Sequence, residues 1–429
     1  MYFISTRNRN LQKTLSEAIR CGLADDGGLF IPAFIPKPDL SGFGREFSYP
    51  EFAARLLHYF FKEDDLDKRL SNMCQNAFTF PLPIHAVNQN TFMLELFHGP
   101  TLSFKDFGAR FLAECFNELS DKQMTTILVA TSGDTGSAVA SAFYQKSNVN
   151  VVILYPKGQI SKRQEHQITC WDKNVLALAV DGTFDDCQTL VKTAFHDGWW
   201  QKRLNMCSAN SINIGRLLPQ ISYYAYSSVQ FYHQQKTSPG YIVPTGNLGN
   251  GVAAYIAQLM GFPIREIVLA TNANQVIPNY LHTGKYHPSQ AIPTLANAMD
   301  VGNPSNLERL LGLFDTFDSM KSHVRAFSVS DDEIRNTIKS VYEQEKIIIC
   351  PHTATAFFAR QQLTEKPWII VSTADPCKFE GIIDPLIQVK TPLASPLQAL
   401  LDKPKKLIHI VKTLADIQGI LACKKWIKE

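Results

Sequence analysis

The sequence has little that marks a membrane, secreted or nucleic-acid-binding protein. No apolar run approaches the length of a membrane-spanning helix, and Met1–Ser5 lacks a basic leader followed by an apolar block. The formal net charge is only +3, and no basic run with interleaved aromatic residues occurs. We therefore expect a cytoplasmic protein that binds neither membranes nor nucleic acid.

The sequence also lacks the common metal-binding and nucleotide-binding motifs. Its nine cysteines are scattered without a CxxC pair, and several lie in apolar stretches. They are therefore predicted to be reduced and to behave as buried small hydrophobic residues. Neither GxGxxG nor GxxxxGK[ST] occurs, so dinucleotide and nucleoside-triphosphate sites have no motif support. We expect no metal site.

What the chain does contain is an alternation of short apolar runs with helical patterns. Continuous apolar runs of this kind are typical of buried parallel strands, and helical segments lie between them. The predicted strands are 91–94, 126–130, 151–155, 176–180, 241–243, 267–270 and 368–371. The pattern predicts an α/β protein with two open α/β sheet domains, preceded by a small N-terminal domain. We expect boundaries that give domains 1–85, 86–210 and 211–429, since 429 residues suffice for two or three domains.

The stretch 94–119 carries a lysine at the start of an apolar helical pattern. A turn at 98–101 precedes Phe104, from which apolar residues recur at helical spacing. Lys105 lies beside this apolar stripe, where partial desolvation favours the neutral, nucleophilic amine. Such a lysine can form a Schiff base with an aldehyde. The alternative, a lysine that extends from an apolar helix into water, is the more common case.

Two turns between a strand and a helix are candidate anion sites. The segment 131–136, TSGDTG, follows a predicted strand and has a helix, predicted for 137–145, after it. Its hydroxyls and free N–H groups suit an anion, although ordinary helix capping explains them equally well. The segment 244–251, PTGNLGNG, repeats this context before a helix predicted to begin at Val252, and it has three glycines in six positions. A phosphate held by main-chain N–H groups explains this glycine content well.

Two further polar segments offer groups that bind ligands. The segment 208–216, SANSINIGR, has two hydroxyls and two amides before a long apolar helix, and it ends with Arg216. An arginine is suited to bidentate contact with phosphate or carboxylate, although a solvated arginine in a helix cap is more common. The segment 371–376 places hydroxyls at the carboxyl end of a predicted buried strand, where open sheets present ligand contacts. A turn that merely ends the strand explains it almost as well.

Taken together, these motifs closely resemble the threonine synthase family of pyridoxal-phosphate enzymes, which have the tryptophan-synthase β-subunit-like fold, or fold type II. The resemblance extends over nearly the whole chain. It is carried by residues 22–32, LELFHGPTLSFKDFGARF (94–111), ATSGDTGSAVA (130–140), VVILYPKGQIS (151–161), NSINIGRLLPQ (210–220), PTGNLGNG (244–251) and NAMDVGNP (297–304). So many motifs in the same order make the resemblance highly specific.

The resemblance implies a role for each candidate residue. Lys105 is expected to be the lysine that forms the Schiff base with pyridoxal phosphate. The expected cofactor-binding residues are Lys105, Asp134, Gly246, Asn247, Leu248, Gly249, Asn250 and Thr373. Of these, the residues from Gly246 to Asn250 form the phosphate loop. Asp134 faces the phenolic oxygen of the cofactor, and Thr373 faces its pyridine nitrogen. The expected substrate-binding residues are Thr131, Ser132, Thr135, Asn210, Ser211 and Arg216.

The chain departs from the family pattern at three of these positions. Many relatives in the wider fold have asparagine where this chain has Asp134, and a carboxylate repels the phenolic oxygen unless the two share a proton. Leu248 replaces an expected phenylalanine, and Asn250 replaces an expected aspartate. The main-chain N–H donors are unaffected by either change, so phosphate binding is still expected.

The implied reaction converts O-phospho-L-homoserine and water to L-threonine and phosphate. One alternative keeps the cofactor but releases ammonia and 2-oxobutyrate, as a phospho-lyase or a hydroxy-amino-acid deaminase does. The cluster Asn210, Ser211 and Arg216 argues against a simple deaminase, which has no phosphate to bind. A second alternative is a non-catalytic module that binds pyridoxal phosphate, and the presence of Lys105 argues against it. The oligomeric state is left open between monomer and dimer.

Overall fold

The strands form three sheets in the computed structural model, which describes residues 1–44, 46–119, 124–314 and 316–427. In chain order the strands are β1 (Phe3–Ser5), β2 (Gln12–Lys13), β3 (Phe30–Pro32), β4 (Ile84–Asn88), β5 (Thr91–Glu95), β6 (Thr125–Ala130), β7 (Val149–Pro156), β8 (Val175–Val180), β9 (Asn205–Ser208), β10 (Gly240–Pro244), β11 (Glu266–Thr271), β12 (Arg325–Ser328), β13 (Trp368–Ser372) and β14 (Ile408–Ile410).

The α-helices lie between these strands and after the last of them. They are α1 (Leu15–Cys21), α2 (Tyr49–Phe61), α3 (Leu70–Ala77), α4 (Lys105–Glu118), α5 (Asp134–Phe143), α6 (Lys162–Thr169), α7 (Phe184–His196), α8 (Gly198–Arg203), α9 (Ile214–Gln235), α10 (Gly249–Leu259), α11 (Val276–Thr283), α12 (Leu307–Gly312), α13 (Phe317–His323), α14 (Asp331–Glu345), α15 (Pro351–Arg360), α16 (Glu380–Ile387), α17 (Ser395–Leu401) and α18 (Leu414–Cys423). Short 3₁₀ turns occur at Leu40–Gly42, Asp67–Arg69, Asn297–Met299 and Pro376–Phe379. None of the helices in the described ranges is both long and apolar enough to cross a membrane.

The predicted α/β class with two open sheets and a small N-terminal domain is confirmed. A six-stranded sheet has the order β12-β11-β10-β13-β5-β4, parallel except for the edge strand β4. A five-stranded sheet, β14-β8-β7-β6-β9, is parallel throughout. The N-terminal strands form a separate antiparallel sheet, β2-β1-β3. Strands β7, β8, β10 and β13 are buried at every residue, which explains why they appear in the sequence as continuous apolar runs.

The two larger sheets do not follow the predicted boundaries at residues 85 and 210. Strand β5 lies within 86–210 but pairs with β13, so it belongs to the six-stranded sheet. Strand β14 lies within 211–429 but pairs with β8, in the five-stranded sheet. The division at these residues therefore stays a prediction about folding units, and the sheets cross it. The sequence could not show this, because a buried strand carries no local signal for which strand lies beside it.

Two helices at the predicted ligand turns begin earlier than their sequence patterns indicate. Helix α5 begins at Asp134 rather than at 137, because the Thr131 hydroxyl accepts hydrogen bonds from the N–H groups of Gly133 (3.0 Å) and Gly136 (2.8 Å). Helix α10 begins at Gly249 rather than at 252, directly after Leu248, whose φ of 63° turns the chain one residue earlier. The polar motifs therefore form the first turns of these helices.

A buried arginine joins the N-terminal sheet to the turn before α9. The Nε of Arg309 donates to the carbonyl oxygen of Phe30 at 3.0 Å, in strand β3. Its other nitrogens donate to the carbonyl oxygens of Ser211 (2.8 Å) and Ile212 (2.5 Å) and to Oδ1 of Asn306 (2.7 Å). Burial lowers the pKa of Arg309 to about 9, yet the group is still charged at neutral pH. Its hydrogen bonds therefore couple the N-terminal domain to a turn that carries candidate site residues.

Replacing this arginine tests the coupling. Arg309→Met leaves three carbonyl oxygens without their donor, so we expect the free energy of unfolding to fall by about 2–4 kcal/mol. The matched control is Arg7→Gln, which removes an exposed ion pair between Arg7 and Glu308 (2.6 Å). Glu308 lies on α12, next to Arg309. Surface pairs contribute at most about 1 kcal/mol. Urea unfolding of both variants is the measurement, and equal losses would contradict the role given to Arg309.

Candidate active site

One cavity lies at the carboxyl ends of the two parallel sheets and brings all the predicted site residues together. They reach it from the start of α4, the turns after β6, β9 and β10, and the end of β13. The predicted residues that line it are Lys105, Thr131, Ser132, Asp134, Thr135, Asn210, Ser211, Arg216, Gly246, Asn247, Leu248, Gly249, Asn250 and Thr373. Parallel strands present their carboxyl ends at one edge of a sheet, so segments far apart in sequence meet there.

Lys105 is the first residue of α4 and is held against the end of β13. The main-chain N–H of Phe104 donates to the carbonyl oxygen of Thr373 at 2.9 Å. The N–H of Asp375 donates to the carbonyl oxygen of Leu102 at 3.1 Å. Leu102 adopts a left-handed conformation with a φ of 59°, which costs about 1–2 kcal/mol for a residue with a Cβ. These contacts fix the chain immediately before the lysine.

The environment of Lys105 favours its neutral amine. Burial lowers the pKa of Lys105 to about 8, and the nearby positive charges of Lys378 and Arg216 act in the same direction. The carboxylate of Asp134 opposes them. The Nζ lies 5.4 Å from the centre of the Phe104 ring. About a tenth of this amine is therefore unprotonated at pH 7, far more than for an ordinary lysine, and this fraction can act as a nucleophile.

Asp134 is buried and ionised, because it has a buried counter-ion. Its Oδ1 lies 2.6 Å from Nζ of Lys378 and accepts a hydrogen bond from Nε2 of Gln164 at 2.9 Å. Burial alone raises the pKa of a carboxyl group, but the charges of Lys378 and Lys105 outweigh it and hold the pKa of Asp134 well below its usual range. The sequence motifs indicated neither Lys378 nor Gln164 as a partner of this carboxylate.

The turn between β10 and α10 forms a cradle for an anion. None of the main-chain N–H groups from Gly246 to Asn250 donates a hydrogen bond to another described residue. The Asn250 side chain closes the turn, since its Oδ1 accepts from the Thr245 hydroxyl at 2.7 Å and its Nδ2 donates to the carbonyl oxygen of Pro244 at 2.8 Å. Unused N–H groups at the start of a helix suit a phosphate.

Close packing requires glycine at two positions of this segment, against different neighbours. A Cβ added at Gly246 would lie 2.6 Å from the main-chain Cα of Met299, so the close approach of two chain segments requires glycine there. A Cβ at Gly251 would lie 2.9 Å from a methyl group of Leu269 in β11, so this glycine allows α10 to pack against the sheet. Phosphate binding by this turn stays a prediction, and close packing gives Gly246 and Gly251 a structural reason beside it.

The turn after β9 contributes a buried cation with an unused donor. Arg216 is 3% exposed, and its Nη1 donates to the carbonyl oxygen of Ala209 at 2.5 Å. Its Nε is buried and has no hydrogen-bond partner among the described residues. Burial lowers the pKa of Arg216 to about 10, so it stays positively charged at neutral pH. An anion in the cavity, which Arg216 lines, would balance this charge.

Hydrogen bonds join the polar turns to one another. Nδ2 of Asn247 donates to the Ser211 hydroxyl at 2.6 Å, which connects the turn after β10 to the turn after β9. Nδ2 of Asn210 donates to the carbonyl oxygen of Ala130 at 2.8 Å, at the end of β6. Within the described ranges, the hydroxyls of Ser132 and Thr135 make no hydrogen bond, although both residues line the cavity. These hydroxyls are available to a ligand.

The structure adds a histidine that the sequence motifs did not indicate. His352, in the first turn of α15, lines the cavity, and its Nε2 accepts a hydrogen bond from the N–H of Ala298 at 3.1 Å. Burial lowers the pKa of His352 to about 4, so the ring is neutral. The signal in the sequence that could have indicated it is its position near the start of the helix before β13. In a parallel sheet, the helix that precedes a strand begins near the edge where the carboxyl ends of the strands lie. Among the described residues, no cluster of His, Cys, Asp or Glu side chains is arranged to hold a metal ion.

Comparison with known proteins identifies the family of the chain. Residues 81–373 match the family model for pyridoxal-phosphate dependent enzymes, and residues 2–78 match the model for the threonine synthase N terminus. The chain is 41% identical to the threonine synthase of Haemophilus influenzae, over 90% of this chain and 91% of that protein.

Solved structures give the same result. The crystal structure of threonine synthase from Escherichia coli superposes with a TM-score of 0.93 at 35% identity, covering 99% of this chain and 100% of that one. The structure of threonine synthase from Brucella melitensis with pyridoxal phosphate bound has a TM-score of 0.90 at 31% identity, covering 98% of each chain. The fold is therefore that of the fold-type II pyridoxal-phosphate enzymes.

Two glycines of the β10–α10 turn offer a matched pair of variants. Gly246→Ala forces a Cβ into the main chain at Met299, so we expect the free energy of unfolding to fall by about 1–3 kcal/mol. Gly249→Ala is the control, because its Cβ would make only ordinary contacts, with Asn306 at 3.5 Å and Ser211 at 3.6 Å. Urea unfolding of the ligand-free variants is the measurement. A Gly246→Ala variant as stable as Gly249→Ala would show that the two segments are not in close contact.

Proposed function

The chain belongs to the threonine synthase family, and from that premise we propose how its residues convert O-phospho-L-homoserine and water to L-threonine and phosphate. Pyridoxal phosphate is the cofactor of this family, and the enzyme class is that of a pyridoxal-phosphate-dependent lyase. The single observation that carries the assignment of residues is that a buried, partly neutral amine, an unused N–H cradle and a buried arginine with an unused donor share one cavity.

The residues of the cavity fit pyridoxal phosphate. The aldehyde requires an amine, which Lys105 supplies with its lowered pKa. The phosphate requires N–H donors, which the turn Gly246–Asn250 supplies. Thr373 supplies a hydroxyl rather than a carboxylate for the pyridine nitrogen, and Asp134 is assigned to the phenolic oxygen. When bound, the cofactor provides a conjugated ring that stores the electrons released when a C–H bond of the substrate breaks.

We assign the proton transfers of the reaction to Lys105. When its amine is free, Nζ takes the proton from the α carbon of the substrate and moves protons at the α and β carbons. A pKa of about 8 suits this role, because the group can both accept and return a proton near neutral pH. The neutral ring of His352 adds no competing charge at the cavity wall.

We assign recognition of the substrate to the polar turns after β6 and β9. Arg216 and the hydroxyls of Ser132 and Thr135 have unused donors, and they are proposed to bind the phosphate and carboxylate of the substrate with Thr131, Asn210 and Ser211. As phosphate leaves the γ carbon and water adds at the β carbon, the guanidinium stabilises the departing anion electrostatically.

We also propose a cytoplasmic location. It is supported by the cysteines, all nine of which are free thiols and seven of which are buried. The choice between a monomer and a dimer stays open.

Product analysis of the purified chain tests the proposal. Incubation with O-phospho-L-homoserine is expected to release threonine and phosphate in equal amounts. Lys105→Ala should lower turnover by about 10³-fold or more, since it removes both the covalent and the acid–base group. The control is Lys339→Ala, which changes an exposed lysine 3.9 Å from Glu343 and should leave turnover unchanged. Formation of 2-oxobutyrate as the main product would refute the reaction, and near-normal turnover of Lys105→Ala would refute the mechanism.

A further inference from the structure

A second buried lysine lies at the candidate site without a role in the proposed mechanism. Lys378 is in the 3₁₀ turn after β13, and its side chain is fully buried. Its Nζ lies 2.6 Å from Oδ1 of Asp134 and donates to the carbonyl oxygen of Thr101 at 2.9 Å. The lysine therefore joins the start of α5 to the segment that leads into Lys105.

Stability alone does not explain this buried ion pair. Taking two charges out of water costs several kcal/mol per ion, and well-packed apolar residues of similar volume are often at least as stable. Net stability therefore does not account for a contact of 2.6 Å between groups that are 0% and 4% exposed. The other groups that act on the charge of Asp134 indicate what the pair does.

Three basic groups influence the carboxylate of Asp134, and each has its own place in the fold. Lys378 follows β13, Lys105 begins α4, and His352 lies in the first turn of α15. His352 is neutral, so only the two lysines bring positive charge. Gln164, from α6, donates a hydrogen bond without charge. The charge of Lys378 also acts on the buried carboxyl group of Asp106 in α4, which Thr101 holds with two hydrogen bonds (2.7 and 2.9 Å). If Lys378 were absent, Lys105 would be the remaining cation able to balance Asp134.

From this arrangement we propose that Lys378 is a positioning residue, which serves as the counter-ion of Asp134 so that Lys105 does not have to. This inference rests on the proposed function, in which Lys105 is the amine that reacts with the cofactor. An amine that balances a carboxylate stays protonated, and a protonated amine cannot attack an aldehyde. Lys378 thereby keeps Lys105 reactive near neutral pH, while Arg216, the other cation near Lys105, disfavours its protonation further.

The geometry leaves one oxygen of Asp134 for a ligand. Both Lys378 and Gln164 contact Oδ1, and Oδ2 makes no hydrogen bond with any described residue. The same lysine holds the carbonyl oxygen of Thr101, to which Nε2 of Gln167 also donates at 3.1 Å. Lys378 thus sets both the charge and the position of the groups around Lys105.

The pH dependence of cofactor loading tests the proposal. The full-length chain is stripped of pyridoxal phosphate and then reloaded at a series of pH values, and the loading rate is followed by visible absorbance. For the unmodified chain, we expect the rate to rise with pH to a midpoint near 8, as Lys105 loses its proton. In Lys378→Met, Lys105 becomes the partner of Asp134, so the midpoint should rise by about one pH unit or more.

Two further variants separate this role from a purely structural one. Asp134→Asn/Lys378→Met removes both charges, so its midpoint should return towards that of the unmodified chain. Lys405→Met is the matched control, because it breaks an exposed pair with Glu165 (2.8 Å) and should leave the midpoint unchanged. An unchanged midpoint in Lys378→Met would overturn the proposal, as would an equal shift in the double variant.

A stability measurement keeps the proposal testable if Lys378→Met does not fold. Asp134→Asn leaves the Lys378 charge buried without its partner, so the double variant should unfold at a higher urea concentration than Asp134→Asn. An equal or lower midpoint would overturn the proposal. Neither readout depends on turnover. If Lys105→Ala loses turnover in the product assay and these tests fail, the failure concerns Lys378 alone. Failure of the proposed function appears in the product assay itself.

Discussion

The burial of one amine is the constraint on which the rest of the structure depends. Lys105 reacts only if its proton is easily lost, and burial among apolar and positively charged groups lowers its pKa to about 8. The same burial brings the carboxylate of Asp134 close, which favours the protonated amine. The pairing of Asp134 with Lys378 at 2.6 Å offsets that effect. The reactivity of a single lysine therefore depends on a balance of buried charges.

The fold supplies this balance by bringing distant segments to one place. The six-stranded sheet contributes the ends of β10 and β13, and the five-stranded sheet contributes the ends of β6 and β9. The hydrogen bond from Asn247 to Ser211 ties the two sets of turns together at 2.6 Å. The N-terminal sheet takes part indirectly, because Arg309 links Phe30 to the main chain of Ser211. Each of the three sheets thus helps to hold a wall of the cavity.

Much of this could be predicted from the sequence, for identifiable physical reasons. Buried parallel strands are continuous apolar runs, so β7 and β8 were recognisable, and glycine-rich turns such as Gly246–Asn250 stand out because glycine is costly elsewhere. What could not be predicted are partnerships between distant segments. The pairing of β5 with β13, and of Lys378 with Asp134, depends on the closed fold. Nothing local distinguishes Lys378 from a surface lysine, and His352 was missed for the same reason.

The central claim is that Lys105, and not its buried neighbour Lys378, is the amine that holds the cofactor. The most direct measurement is to load the chain with pyridoxal phosphate, reduce it with borohydride, digest it, and identify the modified lysine by mass spectrometry. The charge balance around Asp134 predicts a phosphopyridoxyl group on Lys105 alone, since Lys378 is held by Asp134 and by the carbonyl oxygen of Thr101. A phosphopyridoxyl group on Lys378, or none on Lys105, would contradict this claim.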